Sequence, residues 1–411
     1  MTDIRLEQSR SRHDGGVVMK YTSSLFIQVL RDHLHGRKTE PKADVDWEEM
    51  LALARAHEVG GIVYFQCKDA IPHQFLSEFE KEYSAALFFY SNRKKAMGMV
   101  DQTLVDFTHC VVKGLEVAEY YPFPPLRTMG DCDIVVEPSS FEYAIQVLQS
   151  IGVTGTDDTE VQEWPCEYKG MHFELHNTLV NSADYTNEAQ VDFFNNFGPY
   201  IVNNKLDWNF HFLFLIMHLR KHFIGNGVGI RQFIDLAVVI KNNPDLNWLW
   251  IEERLTELKL QGFAHACYSI IEDWFEITAP VSFRRADDET TQIVTEKILG
   301  NGIFGFDDDS NHNNKAMNTI LMNSGSILAK RLRYFISKLF PDYMYMKRYP
   351  GCDFLEGRKW LLPLAWLKRL IYIIGNKDND NRVETIKSTF TSEEDLKKRK
   401  ELMTQMGILD E

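Results

Sequence analysis

Apolar and polar positions alternate with two different periods along the chain. From Tyr21 to about Cys110 the period is helical: Phe26, Val29, Leu30 and His33 recur at helical spacing, and Asp46 stands as an N-cap before Trp47, Leu51 and Ala54. The Gly60-Gly61 pair is expected to break that helix. Residues 77–107 are aromatic-rich and lack Pro, with Gly98 as their glycine, and predict one or two packed helices. The period then shortens. Cys110, Val111 and Val112 form a β-branched run ended by Lys113-Gly114, and a brief helical stretch, 115–121, runs into Pro122, Pro124 and Pro125. Residues 131–136 alternate like a strand with one buried face. A helix follows from Pro138 and Ser139, with Phe141, Ala144, Ile145 and Leu148 as its apolar face and Gly152 in the C′ position. Residues 161–168 and 171–176 predict two strands joined at Lys169-Gly170, a hairpin signal.

After Leu206 helical periodicity returns, with candidate helices at 206–223, 230–241, 246–258, 263–275, 290–299, 315–339, 358–374 and 392–406. The loop 225–229, the polar run 307–314 and residues 375–381 separate them. The expected class is therefore α+β: a small α/β lobe, a mixed sheet with helices, embedded in a mostly α-helical protein. The expected divisions are a flexible arm over 1–20, a helical region over 21–108, the lobe over 109–205 and a helical domain over 206–411.

Composition narrows the function classes. A chain of 411 residues is long enough for two domains, and 44% hydrophobic with 25% charged residues is the balance of a soluble globular protein. The net charge of −14 argues against global attraction to nucleic acid or anionic lipid. Six scattered cysteines form no CxxC pair, which fits reduced thiols in a cytosol better than a disulfide framework. The polar start, 1–20, has no apolar core of a secretory signal, and the longest apolar stretch, 360–374, is interrupted by Pro363, Lys368 and Arg369. A cytoplasmic protein without a transmembrane segment is expected.

The candidate chemistry centres on Asp131 and Asp133. Two carboxylates at i and i+2 on a strand point to one face. Burying both is costly unless a cation sits between them, and Mg²⁺, with Mn²⁺ as the alternative, takes such hard oxygen ligands while leaving room for phosphates. A bare Asp-x-Asp pair is common in solvated loops, so the pair needs company. Glu174 supplies a third acid on a later strand, with His172 and His176 on its face. Lys113-Gly114 occupies a strand-to-helix turn suited to phosphates, and Arg127 could neutralise a triphosphate by bidentate contacts. Taken singly, Glu174 in a surface ion pair, Lys113 as a solvated lysine and Arg127 as a loop arginine are the simpler readings.

The order Val-Val-Lys-Gly114, Tyr-Tyr-Pro122, Arg127 and Gly130-Asp-Cys-Asp-Ile-Val-Val136 resembles the uncharacterised nucleotidyltransferase family of the polymerase-β-like superfamily. Phe-Glu-Leu-His176, the run His218, His222, Gly227, Arg231 and Asp235, then Arg348-Tyr-Pro350 and Trp360-Leu-Leu-Pro363 extend the resemblance over about 47–369. The resemblance implies a polymerase-β-like nucleotidyltransferase lobe with Asp131, Asp133 and Glu174 as catalytic carboxylates and metal ligands. It also implies an NTP as substrate. Many superfamily members carry Gly-Ser where this chain has Lys113-Gly114, with a shorter gap to the first Asp. Family members' genes often lie near those for surface polysaccharides, which points to a sugar-like acceptor.

His211, His218 and His222 fall on one face of the helix after Leu206. No HExxH glutamate accompanies them, so a face packed against the lobe is the simpler reading than a zinc site. Arg231 and Asp235 are spaced for an i, i+4 ion pair; the functional alternative has the 225–229 loop bring His222 and Arg231 to the substrate. The basic stretch Lys330, Arg331, Arg333, Lys338, Lys347 and Arg348, interleaved with tyrosines, is read first as a solvated face, and a nucleic-acid partner is not expected. Asp307-Asp308-Asp309 reads as a solvated loop, and Trp248, Trp250 and Trp274 as core. Two other functions compete with nucleotidyl transfer: a DxD glycosyltransferase using a nucleotide-sugar, which needs a larger parallel sheet before the acids, and a catalytically silent nucleotide-binding or toxin–antitoxin-type module.

Overall fold

A computed structural model of the chain describes residues 21–41, 44–156, 163–181, 187–225, 227–283 and 285–301, together with parts of 321–375 and 393–409. The expected arm 1–20, the acidic run 307–309 and most of the expected helix 315–339 lie outside the described residues, as do Lys330, Lys338, Lys347 and Arg348 of the basic stretch. Helices α1 (Tyr21–Leu34), α2 (Trp47–Ala56), α3 (Gly60–Cys67) and α4 (His73–Thr103) precede the first strand. Asp46 caps α2 by accepting from the Glu49 amide at 3.0 Å, and Glu48 and Glu49 place negative charge at the positive end of the helix dipole.

The glycine pair acts differently from its expected role. Helix α2 ends at Ala56, the chain turns at Glu58 with φ of 53°, and Gly60-Gly61 open α3. Packing explains why glycine stands there: a Cβ at Gly60 would lie 2.7 Å from Glu82 Cβ on α4. Residues 73–103 form a single long helix.

The sheet contains β1 (His109–Val112), β2 (Asp133–Val136), β3 (Thr154–Gly155), β4 (Glu163–Tyr168) and β5 (Met171–His176), in the order β1-β2-β5-β4-β3. β2 and β5 pair in parallel, whereas the other neighbours are antiparallel, so the sheet is mixed. A short helix α5 (Gly114–Ala118) follows β1, and α6 (Phe141–Ser150) follows β2 and ends at Gly152 with φ of 90°. Lys169 and Gly170, with φ of 52° and 75°, join β4 to β5 in the two-residue turn that both positive φ values require. Within the described residues the sheet has one parallel pair and follows helices. A glycosyltransferase-like run of parallel strands before the Asp pair is therefore not what precedes it.

The two faces of the sheet enter different cores. Val111, Ile134, Val136, Trp164, Phe173 and Leu175 pack with α6 and with Ala96, Met97 and Val100 of α4. Cys110, Val112 and Val135 instead join the larger core with α1, α8 (Trp208–Ile224), α9 (Ile230–Asn242) and α11 (Gln261–Phe275). Alternation of side chains along each strand produces this division. Between β5 and α8 lie α7 (Glu188–Asn195) and a small hairpin, β6 (Ile201–Val202) with β7 (Lys205–Leu206), that periodicity did not predict. Helices α10 (Trp248–Glu257) and α12 (Asp288–Asn301), then α13 (Leu362–Gly375) and α14 (Glu393–Gln405), lie farther along the chain. Trp274 is buried, while Trp248 and Trp250 are partly buried against the same core. All six cysteines are free and buried. No described helix is long and apolar enough to cross a membrane.

Candidate metal and phosphate site

Strand register assembles the site. Asp133 on β2 stands opposite Glu174 on parallel β5, so their side chains share a face. His176, two residues beyond Glu174, shares it too. One ligand atom each from Asp133, Glu174 and His176 lie within 4.8 Å of one another. His176 Nε2 is 3.2 Å from Asp133 Oδ1 and 3.3 Å from Glu174 Oε2. His172 lies on the same face but is exposed.

Lys113 brings a second cation from the β1–α5 turn. Its φ of 57° and ψ of −126° place a non-glycine residue in a sparsely populated region that only surrounding contacts can hold. Those contacts are present. The Lys113 backbone N–H donates to His211 Nε2 on α8 at 2.9 Å, and Lys113 Nζ lies 2.8 Å from Asp133 Oδ1. The same ammonium lies 6.0 Å from the Phe214 ring centroid, one turn along α8. Gly114 opens α5 and is buried, with room for a Cβ only at van der Waals distance from Met129 Sδ, 3.5 Å away.

Charges inside this site set one another. Asp133 is 5% exposed. Burial is the largest influence on its carboxyl and raises its pKa, but Lys113 and His176 together outweigh it and hold the group well below the usual carboxylate range. Burial likewise lowers the His176 pKa, yet its bonds to Asp133 and Glu174 raise it to about 9. Asp131 precedes β2 rather than lying within it. Its pKa is raised, first by burial and then by the negative charges of Asp133 and Glu174. The expected arrangement of both acids inside one strand is thus corrected: pairing begins at Asp133, and Asp131 approaches from the preceding loop.

Three acids therefore face two cations. The hard oxygens of Asp133 and Glu174 and the remaining negative charge fit a small divalent ion such as Mg²⁺ or Mn²⁺, beside which His176 would give up its proton. Asp131 adds charge to the same neighbourhood without belonging to the closest group of ligand atoms.

The helix α8 closes the far side with histidines. His211 accepts at Nε2 and stacks on Trp208 at 4.5 Å, and burial lowers its pKa to about 3, so it is neutral. His218 is held well below its usual pKa, first by burial and then by Lys113, and His222 Nε2 lies 3.0 Å from its Nε2. No zinc-type cluster forms on this face among the described residues.

Two arginines go elsewhere than their spacing suggests. Arg127 is buried and grips Asp235 with Nε at 2.9 Å and Nη2 at 2.8 Å, while Tyr121 Oη donates to the same carboxylate at 2.7 Å. One edge of that guanidinium is therefore held by Asp235 rather than turned toward the acids, at a residue four positions upstream of Asp131. The expected Arg231–Asp235 pair is corrected. Arg231 instead pairs with Glu58 and donates to the Thr128 carbonyl at 3.0 Å, because Arg127 has taken Asp235. The segment 127–130 is further held by Arg93, whose Nη2 donates to the Gly130 carbonyl at 2.6 Å. Sequence reasoning missed Arg93 and Glu58; neither stands in a motif, and only the packing of α2, α3 and α4 brings them there.

A family model described as an uncharacterised nucleotidyltransferase matches residues 43–276. No curated protein matches the chain, and no solved structure does.

Proposed function

The chain belongs to the uncharacterised nucleotidyltransferase family, and on that premise we propose that it moves a nucleoside monophosphate from an NTP to an acceptor hydroxyl at the Asp131–Asp133–Glu174 site, with Mg²⁺ or Mn²⁺. The observation that carries this reading is the register of Asp133 against Glu174 on adjacent parallel strands, with His176 and Lys113 completing the charge arrangement. Residues 109–205 are the catalytic lobe in this reading, of polymerase-β-like kind. Its support is the mixed sheet in which the strand after Lys113-Gly114 begins at Asp133, just past Asp131, and the parallel neighbour carries the third acid. The described helices of 21–108 and 206–301 are its walls.

Asp133 and Glu174 would hold the metal, joined by Asp131 from the loop. When bound, the ion supplies positive charge to the phosphates and to the developing negative charge of the transfer. The chain's own groups do the rest. Glu174 is partly exposed and placed to take the proton from the acceptor hydroxyl; the acceptor oxygen then bonds to the α-phosphorus and pyrophosphate departs with the pair of the broken P–O bond. Lys113, released from Asp133, meets phosphate oxygens. Arg127 and Arg231 hold the loop that aims Asp131, and the neutral His211 holds the Lys113 turn. A sugar-like hydroxyl is among the acceptor classes to screen.

Calorimetric titration with each NTP, with and without Mg²⁺, tests the reading alongside product assays. Metal-dependent binding by the wild-type protein is expected, with product formation reduced about a hundredfold or more in Asp133→Ala. Full activity in a folded Asp131→Ala/Asp133→Ala variant sinks the assignment. A second reading, nucleotide binding without turnover, draws support from Lys113 Nζ at 2.8 Å from Asp133 Oδ1, where it stands in for a cation. It predicts NTP binding with no product from any acceptor.

A further inference from the structure

One cavity lies behind the loop that carries Asp131, on the side of α3 and α4. It lies between α3, α4 and the segment 127–129 and measures about 210 Å³. That is below the ~300–1,000 Å³ of pockets that enclose drug-sized ligands, so it suits a small molecule or one end of a larger one.

Its wall contains a buried cation that, among the described residues, has no carboxylate in ion-pair contact, although the charges of Asp131 and Glu58 act on it from farther away. Arg93 on α4 is 8% exposed and lines the cavity. Apart from the bond to the Gly130 carbonyl, its guanidinium has no described acceptor, and its Nε–H is buried without a partner. Among the described residues no carboxylate lies within ion-pair distance of it. A guanidinium withdrawn from water without an opposite charge in contact is costly, and a ligand's oxyanion would repay that cost through bidentate bonds. The acids in the same wall are already engaged, Glu82 by Arg55 at 2.7 Å and Glu58 by Arg231.

A second feature points the same way. Gly60 and Gly61, the first residues of α3, line the cavity, and Val59 at the N-cap supplies no side-chain acceptor. The first amides of a helix have no carbonyl within the helix to bond and carry partial positive charge. Phe89, whose ring centroid lies 5.5 Å from the Arg93 guanidinium carbon, adds an apolar wall beside the charge.

We infer that this cavity binds the oxyanion of a small acceptor, a phosphate or carboxylate group, with Arg93 as its partner and the α3 amides beside it. Arg93 is tied to Gly130, the residue before Asp131, so an anion here is joined directly to the loop that aims the catalytic acid. The word acceptor rests on the transfer reading; binding of the anion does not.

Full-length protein titrated with inorganic phosphate, and separately with acetate, tests it. Phosphate or acetate is expected to bind with millimolar affinity, to slow amide hydrogen exchange over 60–62 and 127–131 in the wild-type protein, and to persist in Asp133→Asn. Arg93→Gln should weaken it by about tenfold or more, with Arg93→Lys partly restoring it. Three results overturn the inference. The first is no binding of either anion by the folded wild-type protein, and the second is binding that Arg93→Gln leaves unchanged. The third is displacement of the anion by Mg²⁺-NTP, which would assign the cavity to the nucleotide's own phosphates. If Arg93→Gln does not fold, the exchange pattern of the wild-type protein decides. Loss of NTP binding in Asp133→Ala is measured separately, so failure here leaves the transfer reading standing.

Discussion

At the scale of single residues, the buried Arg127–Asp235 pair gives a sharp test of what holds the loop before Asp131. Both side chains are under a tenth exposed, so solvent screening does little to weaken the pair. Removing one partner strands the other charge: Asp235→Ala is expected to cost about 3–5 kcal/mol in urea unfolding, because the guanidinium and the Tyr121 hydroxyl lose their acceptor together. Replacing both by apolar residues of similar volume, Arg127→Met with Asp235→Leu, should restore much of that stability while activity stays low, since the loop loses its anchor. Equal stability of wild type and Asp235→Ala would show that the pair is not buried as described. Arg127 was visible in the sequence as a residue near the acids. Its partner was not, because Asp235 lies more than a hundred positions away and the local spacing favoured Arg231.

At the scale of elements, close approach between helices matters more than helix propensity. The α3–α4 contact depends on Gly60, where a Cβ would stand 2.7 Å from Glu82 Cβ and 2.8 Å from Glu82 Cγ. Gly60→Ala therefore gains helix propensity yet is expected to destabilise by about 1–3 kcal/mol, read from the unfolding midpoint, through forced separation of the helices. A stabilised Gly60→Ala protein would mean that α4 yields without cost. The same glycines read as a helix breaker from sequence because glycine's two uses, ending a helix and admitting a neighbour, leave the same letter. The β4–β5 hairpin was legible for the opposite reason: Lys169-Gly170 between two alternating runs has few other ways to fold.

At the scale of the whole molecule, buried histidines tie stability to pH. Burial lowers His33 and His57 to about 4 and His211 to about 3. Their unfolded values lie near 6.5, so the unfolded chain binds more protons below that pH, and stability falls as pH drops from about 6.5 toward 4, on the order of 1 kcal/mol per group per pH unit. His176 acts in the other direction: raised to about 9, it stabilises below 6.5 and loses that contribution as pH rises through 9. Denaturant unfolding across pH 4 to 10 should give a maximum near neutrality in metal-free buffer, and a flat profile from 7 to 5 would contradict the burial of His33, His57 and His211.

The sequence by itself determined the elements and their types, because periods of two and of 3.6 are local and need no partner: the helices before residue 104, the β1–α5–β2–α6 succession, the β4–β5 hairpin and most helices after residue 206. It also marked Asp133, Glu174, His176 and Lys113, since residue type and strand parity place a side chain on a face. Which strands are neighbours was beyond it. Only the tertiary structure set β5 parallel to β2, and so put Glu174 level with Asp133. It also began the strand at Asp133, two residues past Asp131, gave Asp235 to Arg127, left Arg93 without a contacting carboxylate among the described residues and set His211 beneath the Lys113 turn. Each of these turns on contacts between distant residues competing for the same partner, and no local pattern records who wins.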